Sequence, residues 1–171
     1  MQESADDLAR LQALLDASDA AAGPHLRRVI TPERRLTAPE LCARLEGMRL
    51  LALATVTADG RPIVGPVDGI FFRGAFHFGS APDSVRYRHI RRNPHVSATH
   101  LPGEELAATV HGRASFVDVA SPEHRDFRAA LLSIYVPRYG PEWETEFLDE
   151  GPLYARIDAD KMFTFHMDDG E

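Results

Sequence analysis

The residues best suited to chemistry lie in one stretch, HFGSAPDSVRYRHIRRNPHV, residues 77–96. Two serines, Ser80 and Ser84, are followed by Arg86, Arg88, Arg91 and Arg92 within seven consecutive positions. Ser80 ends a strand-like run, and Asp83 or Ser84 opens a short helix. A helix start presents unpaired N–H groups and a partial positive charge, and so attracts anions. Two hydroxyls, the first-turn amides and a guanidinium could together hold one dianion such as a phosphate. At 100° per residue Ser84, Arg88 and Arg91 share one helix face, while Tyr87 and Ile90 turn toward the core. Arg86 falls between the two faces, in the first turn. The competing reading is a solvated helix face with Ser84 as an ordinary cap.

Other catalytic patterns are missing. There is no G-x-S-x-G elbow, no G-x-G-x-x-G and no G-x-x-x-x-G-K. The eight histidines contain no H-x-x-x-H pair. His95 and His100 are five apart and would point to opposite faces of a strand, so no metal site is expected. An enzyme with this inventory would take its reactive chemistry from a cofactor.

The elements that must position these residues follow from periodicity and turn signals. SADDLARLQALLDAS forms an amphipathic helix with Ser4 and Asp7 at capping-box spacing, and Gly23-Pro24 stops it. Residues 24–36 read as a basic, irregular linker. Thr37 and Glu40 open a second short helix, in which Cys42 is a small buried side chain rather than a reactive thiol. Then come strand-like runs: 50–56, a turn at Asp59-Gly60, 61–72, and a third strand ending at Ser80. Pro66 and Gly69 interrupt the second run, and a proline there is tolerated only at an edge or a bulge. After the arginine-rich helix, HVSATHL makes a fourth strand and residues 106–119 a long fifth. Ser121-Pro122 starts a helix carrying Phe127, Leu131 and Ile134. Residues 137–151 are mixed in character, and LYARIDA and KMFTFHM make the last strands. The expected fold is mainly β with peripheral helices, an α+β chain built on a six- to seven-stranded antiparallel barrel.

Composition narrows the partners. A formal net charge of −7 argues against nucleic acid. The apolar runs are too short to span a membrane. One cysteine cannot make an intrachain disulfide, and a cytoplasmic location is expected.

The order of LALATVTADGRPIVGPVDGIFF, FHFGSAPDSVRYRHIRRNPHVSA, VHGRASFVD and ARIDADKMFTF resembles the pyridoxamine 5'-phosphate oxidase-like family of split-barrel flavin proteins, which includes flavin/deazaflavin-dependent oxidoreductases. The resemblance covers roughly residues 40–167. It implies an N-terminal helical extension and linker over 1–36, and a split-barrel flavin-binding domain over 37–171. It implies FMN, with the deazaflavin F420 as alternative, in a groove at a homodimer interface. Ser80, Ser84 and Arg86 match the family's phosphate ligands, with Arg88 as a further basic residue. Gly79 and Val85 match neighbouring backbone contacts, and Gly65, Pro66 and Val67 lie where the second strand runs along the ring.

The implied activity is hydride transfer to or from a small organic substrate, with NAD(P)H or reduced F420 as the partner reductant. A non-enzymatic flavin carrier or sensor is the rival reading. No catalytic side chain is required. Tyr135, Trp143 and Phe147 either line the substrate side or pack in the core. A basic residue near Gly65, a lysine near Ile70 and a C-terminal Arg-and-His motif are absent, which argues against vitamin B6 oxidation. A haem-binding split barrel is a third reading, with His77, His89 and His111 as the axial candidates.

Overall fold

A computed structural model describes residues 3–167. The ends of the extension and of the tail expected at either terminus lie outside the described residues. Six strands close into an antiparallel barrel in the order β1-β2-β3-β6-β5-β4. They are β1 (Met48–Val56), β2 (Pro62–Phe72), β3 (Ala75–Ser80), β4 (His95–His100), β5 (Leu106–Val117) and β6 (Leu153–His166). Five helices surround them: α1 (Ala5–Ala20), α2 (Pro24–Val29), α3 (Ala38–Arg44), α4 (Val85–Arg92) and α5 (Arg125–Tyr139). The α+β barrel expected from the sequence is present.

Both expected capping boxes form. Asp7 N donates to Ser4 Oγ at 3.1 Å, and Ser4 N donates back to Asp7 Oδ2 at 2.9 Å. Thr37 N donates to Glu40 Oε2 at 2.8 Å at the start of α3. The structure corrects two readings. The linker over 24–36 contains α2, started by Gly23 and Pro24, and a 3₁₀ turn, Pro32–Arg34. The chain there is anchored, because Ile30 and Leu36 are buried and Leu36 N donates to Thr164 Oγ1 at 3.0 Å. The two expected last strands are one continuous β6. A bulge keeps it in register: His111 pairs with Lys161 and Gly112 with Ala159, which leaves Asp160 as the extra residue.

Alternating side chains of the strands fill the barrel, where Leu51, Leu53, Phe76, Phe78, Val110, Ile157 and Met162 are fully buried. α1 adds Leu11 and Leu15 to the same core. It is also tied to the barrel through its C-terminal half, where Met162 N of β6 donates to Ser18 Oγ at 2.9 Å. α5 packs outside the barrel, burying Phe127, Leu131 and Tyr135 against Ile70, Phe72 and Tyr154. Burial pushes the Cys42 thiol up to about 12, as expected for an inert core cysteine. Among the described residues no helix is long and apolar enough to cross a membrane.

The edge expected at Pro66 is real. β2 pairs with β1 from Pro62 to Ile70, whereas its pairing with β3 begins only at Gly69. Pro62–Asp68 therefore leaves one backbone edge open, and Pro66 has no N–H to lose there.

Candidate functional site

The open edge of β2, the end of β3 and the start of α4 meet at one corner. Ser84 is the N-cap of α4, and its Oγ accepts from Tyr87 N at 3.3 Å. The N–H groups of Val85 and Arg86 lie in the first turn, where a helix offers no internal acceptor. Tyr87 points inward and is fully buried. Its hydroxyl donates to Phe78 O at 3.3 Å and also to Leu153 O, which fixes the helix over the ends of β3 and β6.

Arg86 turns back across this corner. Its Nη2 donates to Pro66 O at 2.9 Å, and its Nη1 stands 3.5 Å from Ser80 Oγ. The carbonyl it reaches belongs to the unpaired edge of β2. Gly65 adjoins it, since a Cβ there would be in ordinary contact with Arg86 Nη2, at 3.4 Å. Gly65, Pro66, Ser80, Ser84, Val85 and Arg86 are thus brought together. Val67 adjoins them through its backbone only, since its side chain is buried in the core. Gly79 is needed for a different reason: a Cβ would lie 2.9 Å from the Tyr154 ring that packs over it.

The remaining arginines have other tasks. Arg88 Nη1 donates to Asp83 O at 3.0 Å, and Arg91 Nη1 donates to Pro82 O at 2.9 Å. Arg91 also lies 5.4 Å from the Phe116 ring centroid. Both guanidinium groups therefore fasten the loop between β3 and α4.

A groove of about 950 Å³ opens beside this corner, with Ser80 on its wall. Its floor is an aromatic stack. Tyr135 stacks on Trp143 with centroids 4.6 Å apart and planes 16° apart, and on Tyr139 at 6.1 Å. Trp143 stacks on Phe147 at 5.4 Å. Tyr135 and Trp143 are buried, while Tyr139 and Phe147 are 56% and 50% exposed. The inner pair therefore packs in the core, and Phe147, with Tyr139, faces open space. Tyr139 and the groove's rim of Glu142, Glu146 and Glu150 are not legible in the sequence alone. The helical spacing of Tyr135 and Tyr139, one turn apart on α5, is the signal that could have found the former.

Asp68 also lines the groove and accepts from Tyr135 Oη at 3.2 Å. Burial, reinforced by the Asp68 charge, raises the Tyr135 phenol, and burial likewise raises Tyr154, so both stay neutral. A further ion-pair network holds the far side in place: Arg128 Nη2 donates to Glu144 Oε1 at 2.7 Å and to Asp149 Oδ1 at 2.6 Å. Both acceptors lie at or next to the π-helical turn Glu144–Leu148 that carries Phe147.

The histidines do not form a ligand cluster. His77 is buried against Phe127, ring centroids 4.3 Å apart, and its Nδ1 meets Ala75 O at 3.1 Å. His89 Nδ1 meets Thr55 Oγ1 in the interior, whereas His111 Nδ1 meets Ser97 Oγ on the outer sheet face. Among the described residues no group of three or more His, Cys, Asp or Glu is placed to hold a metal ion.

The family model for pyridoxamine 5'-phosphate oxidase matches residues 37–163. The chain belongs to this family. Solved structures of similar fold include a FAD-binding protein from Mesorhizobium loti, 23% identical with a TM-score of 0.55, covering 79% of this chain and 98% of the other. HutZ, the heme storage protein from Vibrio cholerae, is 21% identical with a TM-score of 0.58, covering 74% and 93%. An F420 reductase is 21% identical with a TM-score of 0.54, covering 70% and 93%. No curated protein matches the chain.

Proposed function

We propose that the chain is an FMN-dependent oxidoreductase that transfers a hydride to or from a small organic substrate, with its flavin site at a homodimer interface. The observation that carries this reading is the convergence of Arg86 on Ser80 and Pro66 at the start of α4, beside an aromatic groove. The donor set fits a phosphate: two hydroxyls, one guanidinium and two first-turn amides, gathered between the end of β3 and the N-terminus of α4. Bound FMN would supply the hydride chemistry. Ser80, Ser84 and Arg86 would hold its phosphate, supported by the backbone of Gly79 and Val85. The open edge at Gly65, Pro66 and Val67 would border the ring. No side chain is needed as a general base, so the protein's part is to position the ring and exclude water.

F420 is the alternative, since a F420 reductase shares the fold. One feature favours FMN: the groove rim beside Ser80 carries Glu142, Glu146 and Glu150, which would repel an oligoglutamate tail. A non-enzymatic carrier would bind the same cofactor without turnover by NAD(P)H or reduced F420.

The visible spectrum and mass of the copurifying ligand test the cofactor directly. The Ser84→Ala/Arg86→Ala variant should lose on the order of a hundredfold in flavin affinity. Arg86→Ala alone, which keeps the helix cap, should show most of that loss. Arg88→Ala should stay within about threefold of the parent. Undiminished flavin retention in the double variant would defeat the phosphate site.

A further inference from the structure

The groove carries an electrostatic signature that the phosphate corner does not explain. Its lining includes four carboxylates, Asp68, Glu142, Glu146 and Glu150, and no lysine, arginine or histidine. The three glutamates are exposed, and among the described residues none of them forms an ion pair. Their neighbours Glu144 and Asp149 are the ones neutralised by Arg128. Their charge is therefore presented to the groove rather than cancelled within the fold. The stack they surround is rich in π faces, and its open ends are Tyr139 and Phe147. One cation already uses it: the Arg138 guanidinium lies 5.4 Å from the Tyr139 centroid. Carboxylates beside stacked rings attract a positive charge twice over, by Coulomb attraction and by the ring quadrupole.

We infer that this groove selects an aromatic or apolar ligand bearing a protonated amine or quaternary ammonium. The flat part would lie along the Tyr135–Trp143–Phe147 stack, with the cationic group directed to the Glu142–Glu146–Glu150 rim or to Asp68. The inference deepens the proposed function, on which it rests, by giving the substrate class: a cationic amine rather than a carboxylate or a phosphate ester. Anionic ligands would be confined to the Ser80–Arg86 corner, which is built for them. Ser80 belongs to both regions, so a ligand in the groove would abut whatever the corner holds.

Trp143 is the chain's single tryptophan, so its fluorescence reports groove occupancy directly. Phenethylammonium, 2-phenylethanol and 3-phenylpropionate, similar in size and differing in charge, would be titrated into the full-length protein at neutral pH and low ionic strength. We expect the cation to bind at least about tenfold more tightly than the anion, with the alcohol between them. The Glu142→Gln/Glu146→Gln/Glu150→Gln variant should reduce that ratio to below about threefold and leave the alcohol's affinity unchanged. All three positions are exposed, so folding is retained.

Equal or tighter binding of 3-phenylpropionate would overturn the inference. So would a charge preference that survives the triple substitution, or no quenching by phenethylammonium up to about 10 mM. Cofactor retention, read from the visible spectrum of the same samples, separates the two claims. Flavin bound without a cation preference sinks the inference alone. A cation preference in protein that retains no flavin sinks the flavin reading alone.

Discussion

His77 shows what burial does to one side chain. It ends up enclosed by Phe72 and Phe127, and burial pushes its pKa down to about 3. A free histidine titrates near 6.5, so the unfolded chain binds this proton at mildly acidic pH while the folded chain does not. The stabilisation is therefore present above about pH 6.5 and is lost as the pH falls from there toward 3. Lowering the pH from 7 to 5 should cost about 2 kcal/mol through this group. His77→Gln should lose that share of the pH dependence, measured as the shift of the urea midpoint between the two values. Equal losses in parent and variant would rule out His77 as the source.

The same scale explains the arginine cluster. Residue type and spacing point to a candidate anion site, and the family resemblance together with the first-turn position puts Arg86 ahead of Arg88. The helical wheel favoured Arg88, because it treats side chains as spokes. Arg86 reaches Ser80 because its long side chain folds back over the open β2 edge, and no wheel describes that direction.

At the scale of elements, turns and caps were the most legible features. Ser4, Thr37 and Ser84 each start a helix where a hydroxyl can take up a free amide. Pro66 announced an open edge for an equally local reason. The single β6 was not legible, because the bulge at Asp160 interrupts the alternation that marks a strand, and only the partner strand shows that pairing continues. That crossing is tight: a Cβ on Gly112 would sit 2.1 Å from Asp158 O. Gly112→Ala should destabilise the protein by about 3 kcal/mol, since the obstacle is backbone rather than a side chain that can swing away. Denaturant unfolding checks it, and a change below about 0.5 kcal/mol would mean that the bulge relaxes freely. α2 was missed because six residues starting at Gly23-Pro24 carry too little periodicity to be seen.

For the molecule as a whole, the outer face and tip of the β1–β2 hairpin leave apolar side chains exposed, while Leu51, Leu53 and Val67 face the core. Ile63 is 46% and Val64 64% exposed on its open strand, and Leu50 is 60% exposed on β1. An apolar, unpaired edge of this kind is a surface that natural proteins cover. It supports the homodimer that is proposed here from the family resemblance. Sedimentation at micromolar concentration should show a species of about twice 19.0 kDa. Val64→Glu should shift it toward the monomer without unfolding it, because the position is solvent-exposed within one chain. A monomer that retains flavin would end the dimer expectation.

The strand and helix texture, the capped helix starts, the edge at Pro66 and the hydroxyl–arginine pattern at the start of α4 are legible in the sequence alone. These depend on neighbours within a few positions, and such neighbours are written in order along the chain. Tertiary packing alone sets α1 into the barrel core, brings the Arg86 guanidinium to Ser80, and joins Asp68 to Tyr135 beside an acidic, aromatic groove. Asp68 and Tyr135 are 67 positions apart. Barrel closure and the packing of α5 bring them together, and no local pattern records that juxtaposition.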